Sequence, residues 1–260
     1  MPKIRQRVGK VIKNPIMNNF FLFSCILLIS MQLLFISCNN NVPRELTGVE
    51  NGYDWVDMEL PSGTKWATYN IGAMNQFQQG DFYAWGEIET KEIYAETNYK
   101  WGYDNHWTKY NWSDEIDVLE REDDVASIRW GGNWRMATDE DWLELSVYTT
   151  KQWVKYSQIE GLLVTSKINE QSIFLPIGGQ ASYETIGYDY EKEEYIYESY
   201  IAAPEKGFYW TSSKPENWRN WANDWENGGA IAYVVSEKYD GFGSSNYRTY
   251  SGMFIRAVTK

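Results

Sequence analysis

No cysteine follows Cys38, whereas all 14 tryptophans and all 20 tyrosines do. The chain beyond that point is therefore held together without a disulfide, a thiolate metal site or a cysteine nucleophile. Its core must be built from aromatic rings, each of which removes a large apolar area from water on burial. The single histidine, His106, excludes a multi-histidine metal site and argues against a Ser-His-Asp triad. The same aromatic richness also characterises sugar-binding surfaces, so composition alone does not separate core from site.

The N-terminus reads as an export leader. Met1–Lys13 carries Lys3, Arg5, Arg7, Lys10 and Lys13 and no acid, and a predominantly apolar run, Phe20–Ile36, follows. A basic flank, an apolar core and a small residue at the cleavage point are what a secretory signal requires. A run of this length also suits a transmembrane anchor. Phe35-Ile-Ser-Cys38 favours cleavage, because it resembles the bacterial lipobox, with Phe35 in place of the more usual leucine. That resemblance implies thioether acylation at Cys38, and several acyl chains anchor a protein stably. Residues 1–37 are thus expected to be a lipoprotein signal peptide, 38–50 a polar tether and 51–260 a single domain. The expected location is the cell envelope, lipid-anchored at the outer membrane, with the facing side left open.

Removing the leader's five bases leaves 19 Lys and Arg against 36 Asp and Glu, a net charge of −17 over 223 residues. So acidic a chain argues against nucleic acid and anionic membranes, and makes sulfated or uronic-acid polysaccharides poor partners unless a local basic patch exists. Thirty-six acids would supply a carboxylate pair for glycoside hydrolysis, but nothing in the sequence singles one out. No enzyme activity is expected.

Alternation and turn residues predict an antiparallel, strand-rich chain. Tyr53–Met58 and Thr64–Tyr69 read as strands around the turn Leu60-Pro-Ser-Gly63. Leu162–Ile168 and Ser172–Ile177 read as a hairpin closed by Asn169-Glu-Gln, and Phe208–Ser212, Ala230–Ser236 and Met253–Val258 as later strands. The clearest helix is Thr138–Leu145, with Thr138 as its cap, acids in the first turn and Asp141 at the third position. A shorter one is expected from Asp123-Asp124 through Ile128.

Several segments resemble one family. Trp55–Gly72, Gly80–Glu87, Glu122–Ala126, Trp130–Leu145, Tyr209-Trp-Thr-Ser-Ser213 and Ile255-Arg-Ala-Val258 resemble the Fibrobacter succinogenes major paralogous domain, common in Bacteroidetes lipoproteins. The Trp134-Arg-Met-Ala-Thr138 core is also similar to a segment of formylglycine-generating enzymes. The resemblance implies an α+β, C-type-lectin-like fold: twisted antiparallel sheets, one or two short helices and long loops that carry function. It also implies that the enzymatic activity is absent, since the catalytic cysteines are missing. Ala137 stands where the family has proline, and Tyr69 and roughly Thr149 stand where many members have cysteine.

Trp130-Gly-Gly-Asn-Trp134 and Arg135 read as structure, with glycines permitting close backbone approach and Arg135 pairing with an acid such as Asp123 or Asp124. Two aromatic, polar segments are the binding candidates. The first is Asn217–Asn227, with Trp218, Arg219, Asn220, Trp221, Asn223, Asp224 and Trp225; the second contributes Trp101, Tyr103, Trp107, Tyr110 and Trp112. Rings stack on sugar faces while amides, acids and arginine take hydroxyls. In both segments packing on the body is the leading reading and ligand binding the second; Trp218, Trp221 and Trp225 share a helical face suited to packing. No cofactor is expected. Calcium is the one option, through oxygens of Asn223, Asp224, Glu226 and Asn227, but no EF-hand spacing is present. The expected function is a lipid-anchored envelope protein that binds a glycan or a protein through an aromatic loop surface. The alternative is a structural subunit of a pilus or outer-membrane complex.

Overall fold

The computed structural model describes residues 47–103, 106–111, 114–215, 229–239 and 241–260. All lie in the second of two units into which the chain divides, Met1–Val42 and Pro43–Lys260. In chain order the first strands are β1 (Gly48–Glu50), β2 (Tyr53–Val56), β3 (Lys65–Ala67), the short pair β4 (Gly102–Tyr103) and β5 (His106–Trp107), and β6 (Arg135–Met136). Then come β7 (Thr149–Tyr156), β8 (Ile159–Ser166), β9 (Ser172–Pro176) and a long hairpin of β10 (Gln180–Asp189) and β11 (Glu194–Ala202). The last are β12 (Gly207–Trp210), β13 (Gly229–Ser236), β14 (Gly241–Arg248) and β15 (Ala257–Thr259). Two α-helices occur among the described residues, α1 (Val125–Arg129) and α2 (Asp139–Tyr148). The architecture is α+β, with antiparallel sheets and few, short helices. The largest sheet has the order β1-β2-β3-β15-β6, and β7-β8-β9 and β12-β13-β14 form two three-stranded sheets.

The core strands are buried on both faces. Along β13, Ala230, Ala232 and Val234 enter one apolar cluster, while Ile231, Tyr233 and Val235 enter another. The same alternation sends Phe208 and Trp210 to the first and Tyr209 to the second. A period of two with both faces covered produces the near-continuous apolar runs of the sequence. Trp85, Trp130, Trp134 and Trp210 dominate the first cluster, and Trp66 and Trp142 the second.

Helix α2 follows from its first turn. The Thr138 hydroxyl accepts from the Asp141 N–H at 3.2 Å, and the Asp141 carboxylate accepts from the Thr138 N–H at 2.8 Å. This reciprocal cap satisfies two donors that a helix start otherwise leaves open. Trp142 and Leu145 then face inward, where Trp142 stacks on Tyr233 at 5.0 Å and meets Trp66 edge-on at 5.0 Å. The helix stops at Thr149. Its hydroxyl donates to the Leu145 carbonyl at 2.5 Å.

Three expectations need correction. The tether ends earlier than Glu50, because β1 pairs with β2 in the register Glu50↔Tyr53. Asn51-Gly52 closes this hairpin with positive φ at both residues, 47° and 85°, a turn type that Asn-Gly favours. Arg135 does pair with an acid, but that acid is Asp141 and not Asp123 or Asp124; it forks onto Asp141 at 2.5 and 3.1 Å. Asp124 instead caps α1, accepting from the Ser127 and Met136 N–H groups at 3.0 and 2.8 Å. Strands β7, β10, β11 and β14 also go beyond the expected set, because their exposed faces dilute the apolar alternation.

The Trp130–Trp134 loop is structural, as expected. Glu50 accepts from the Asn133 N–H at 2.9 Å, and the Trp134 indole donates to the Glu50 carbonyl at 2.7 Å. Gly132 has φ 56°, and a Cβ there would meet Glu50 Oε1 at 2.5 Å. The loop therefore clamps the β1–β2 hairpin only while the site stays glycine.

Arg256 joins the layers. It is 0% exposed, and its guanidinium donates to Asn70 Oδ1 at 2.8 Å, Ala67 O at 3.0 Å, Thr68 O at 3.3 Å and Phe174 O at 2.8 Å. Burial pulls its pKa down to about 10, still well above neutrality. Arg256→Met is expected to cost about 3–5 kcal/mol, because buried carbonyls on two sheets lose their donor. Urea denaturation checks this, and a loss below about 1 kcal/mol would contradict the assignment.

Candidate functional site: a tyrosine-lined arm

The β10–β11 hairpin is the most exposed ordered element among the described residues. Strands of this length reach about 30 Å. The hairpin is tied to the body at its base, where Ala181 and Gly252 exchange backbone hydrogen bonds at 2.8 and 2.9 Å. Gly178 and Gly179 N–H groups add bonds to the Lys206 carbonyl at 2.9 and 2.7 Å. At the tip, Asp189 accepts from the Glu191 and Lys192 N–H groups at 2.9 and 3.2 Å, and Glu193 takes φ 56°.

A bulge decides which side chains the arm presents. Thr185 faces Tyr197 and Gly187 faces Ile196, so Ile186 has no cross-strand partner. Tyr183 and Tyr188 are five residues apart and would point to opposite faces of a regular strand. One extra residue moves them to the same face, which Tyr195 and Tyr197 share from β11. Tyr183 meets Tyr197 at 5.2 Å, and Tyr188 meets Tyr195 and Tyr190 at 5.0 Å each. Tyr250 of the body continues the row, 5.9 Å from Tyr183. The row opens to solvent towards its tip: Tyr195 is 60% and Tyr190 86% exposed. Tyr188, Tyr190, Tyr195 and Tyr197 line an open cleft of about 1130 Å³, closed on the body side by Ile93 and Thr97. Ring edges, phenol hydroxyls and the carboxylates of Asp189, Glu193 and Glu194 meet there, a set suited to binding.

The other aromatic segment is a packed hub. Lys109 Nζ lies 2.5 Å from Glu120, 3.3 Å from Glu122 and 2.6 Å from Asp123. These three acids have the spacing of a metal site, and a lysine already occupies it. Burial alone would lower the Lys109 pKa, but the three carboxylates outweigh it and hold the ammonium above the usual lysine range. Burial likewise pushes Asp123 up, yet Lys109, Tyr110 and Lys100 bring it below the usual carboxylate range. Lys100 sits 3.9 Å from the Trp101 ring, whose indole donates to the Gly86 carbonyl at 2.8 Å.

The structure distributes the expected site residues unevenly. Trp218, Arg219, Asn220, Trp221, Asn223, Asp224 and Trp225 lie outside the described residues, as do Cys38 and Trp112 and the side chain of Tyr103. Trp101 and Trp107 are half-buried, and Trp107 packs edge-on against Tyr99 at 5.4 Å. Tyr110 is 1% exposed, donates to Asp123 Oδ2 at 2.7 Å and accepts from the Glu120 N–H at 3.1 Å. Its ring belongs to the core and has no free face for a ligand. The arm was missed although Tyr183, Tyr188, Tyr190, Tyr195, Tyr197 and Tyr200 stand among six acids. The density of tyrosines was the available signal; the bulge hid the alternation.

Comparison with protein families, curated proteins and solved structures finds no match. Among the described residues no helix is long and apolar enough to cross a membrane.

Lys109→Met is expected to destabilise the protein by about 1–3 kcal/mol at pH 7, the range for hydrogen bonds to charged groups. A carboxylate whose folded pKa is depressed stabilises above its unfolded value, near 3.8 for Asp123, and loses that contribution as pH falls through the folded one. The cost of Lys109→Met should therefore shrink by about pH 3. Equal costs in denaturation series at the two pH values would contradict the hub.

Proposed function

We propose that this is a lipid-anchored binding protein of the cell envelope, and that the tyrosine-lined arm is its contact surface for a glycan or a protein. The observation that carries the reading is the bulge-aligned row Tyr183, Tyr197, Tyr188 and Tyr195, opening to solvent at Tyr190. Single exposed rings are ordinary, but a contiguous row of them is the kind of surface that marks an interaction site. The leader Met1–Ser37 and the lipobox-like Phe35-Ile-Ser-Cys38 support the anchor.

The segments that resemble the Fibrobacter succinogenes paralogous domain supply the body. Trp66, Trp85, Trp130, Trp134, Trp142, Trp210 and Arg256 are all buried, which fits a scaffold role for those motifs. The arm lies between the quoted segments Trp130–Leu145 and Tyr209–Ser213, outside the motifs that carry the resemblance. A helix whose buried face meets strands of two sheets, Trp142 on Trp66 and Tyr233, is in keeping with that architecture. Asn217–Asn227 remains a second candidate surface on the strength of its sequence.

An array of envelope glycans and separated envelope proteins, probed with the full chain in neutral detergent micelles, tests the reading. The triple variant Tyr188→Ser, Tyr190→Ser, Tyr195→Ser should lose about tenfold or more in binding, since exposed anchor rings each contribute about 1–2 kcal/mol. Its melting temperature should stay close to the parent's, because all three rings are exposed. Undiminished binding would contradict the arm as the contact surface.

A further inference from the structure

The arm's outer edge has its own chemistry. β11 pairs with β10 on one side and with no other strand among the described residues. Its other edge presents backbone donors and acceptors that no strand among the described residues pairs. Natural proteins blunt such edges with charged side chains, above all lysine, with proline or with a bulge in the edge strand, and the charges of β11 are the two acids Glu194 and Glu198. Glu194-Tyr-Ile-Tyr-Glu-Ser-Tyr-Ile-Ala202 contains no lysine and no proline, and the arm's bulge lies in β10.

Charge selects the occupant. Residues 180–202 carry Glu184, Asp189, Glu191, Glu193, Glu194 and Glu198 against Lys192 alone, a net charge of −5. Lys192 is already engaged at the turn, 3.5 Å from Asp189 and 3.6 Å from Glu194. A second copy would set −5 against −5, and nucleic acid or an acidic polysaccharide is repelled for the same reason. A cationic strand is attracted.

The alternation of β11 specifies the strand further. Glu194 and Glu198 share one face with Ile196 and Tyr200, and Tyr195 and Tyr197 share the other. An added strand with basic residues at every second position would place them beside Glu194 and Glu198 and lay its apolar residues along the tyrosine row. The body uses related contacts already: Lys65 of β3 lies 4.7 Å over the Trp55 ring of β2.

We propose that the outer edge of β11 captures an extended, alternately cationic and apolar segment of a partner protein as an added antiparallel or parallel strand. This rests on the arm being the contact surface and names the partner class for it. Backbone bonds along the edge would give affinity, and the two glutamates would give charge selectivity.

The probe is a capped peptide alternating lysine and valine, titrated into the full chain in neutral detergent micelles at low salt. Binding is expected, with a loss of about tenfold or more in the double variant Glu194→Lys, Glu198→Lys or on raising salt to about 0.5 M. A peptide N-methylated at alternate residues on its pairing edge should lose binding to a similar extent, which simple charge attraction would not require. A glutamate-valine peptide should not bind. No binding of the lysine-valine peptide, equal binding by the charge-reversed variant, or equal binding of the N-methylated peptide would each overturn the proposal. So would self-association of the full chain that Glu194→Lys, Glu198→Lys abolishes. If the peptide fails while the triple tyrosine variant still loses envelope binding, strand capture falls and the contact-surface reading stands.

Discussion

A guanidinium held in the interior by one side-chain amide and three backbone carbonyls organises the body. Arg256 reaches Ala67 at the end of β3, Asn70 just beyond it and Phe174 in β9, so one side chain satisfies acceptors from two sheets. A planar fork with five donors does this where lysine could not. The interior position is costly unless each donor is used, and the residue therefore fixes how the sheets meet. Asn70 is itself set in place, donating through Nδ2 to the Gln79 carbonyl at 2.6 Å. Around this centre tryptophans fill both apolar clusters, in a domain with no cysteine among its described residues. Tyr69 packs edge-on against Trp130 at 5.8 Å.

The body was largely legible because its signals are local. Thr138 and Asp141 write a capping box into four residues, and Asn169-Glu-Gln separates two strands whose apolar runs are unmistakable. Other features rest on partners distant in sequence. Nothing in Trp134-Arg-Met-Ala-Thr138 distinguishes Asp141 from Asp123 or Asp124 as the partner of Arg135; the β6–α2 corner decides it. The Asn51-Gly52 turn was readable in principle but followed a stretch too polar to suggest a strand. The arm was illegible for a different reason. One bulged residue, Ile186, inverts the alternation midway, so tyrosines that share a face look scattered along the sequence.

Burial and exposure of aromatic rings are thus separated in the molecule. Buried aromatics in the motif-bearing segments hold the sheets together, whereas the exposed tyrosines stand on a hairpin that contributes little to the core. Such a division lets an arm vary in sequence while the body stays the same, because substitutions on a solvated two-stranded ribbon leave the packed interior untouched. It also leaves the ribbon marginal by itself. The base contacts at Ala181 and Gly252 and the ring of Tyr250 on Tyr183 give it a fixed root.

Amide hydrogen exchange on the full chain tests the central claim, that the arm is presented uncovered by a rigid body. Amides of β8, β9 and β15 should exchange only through global opening, whereas those of residues 184–200 should exchange by local opening, faster by about two orders of magnitude or more. Protection along β11 equal to that of β8 would mean that another part of the chain covers its edge, and would contradict the account.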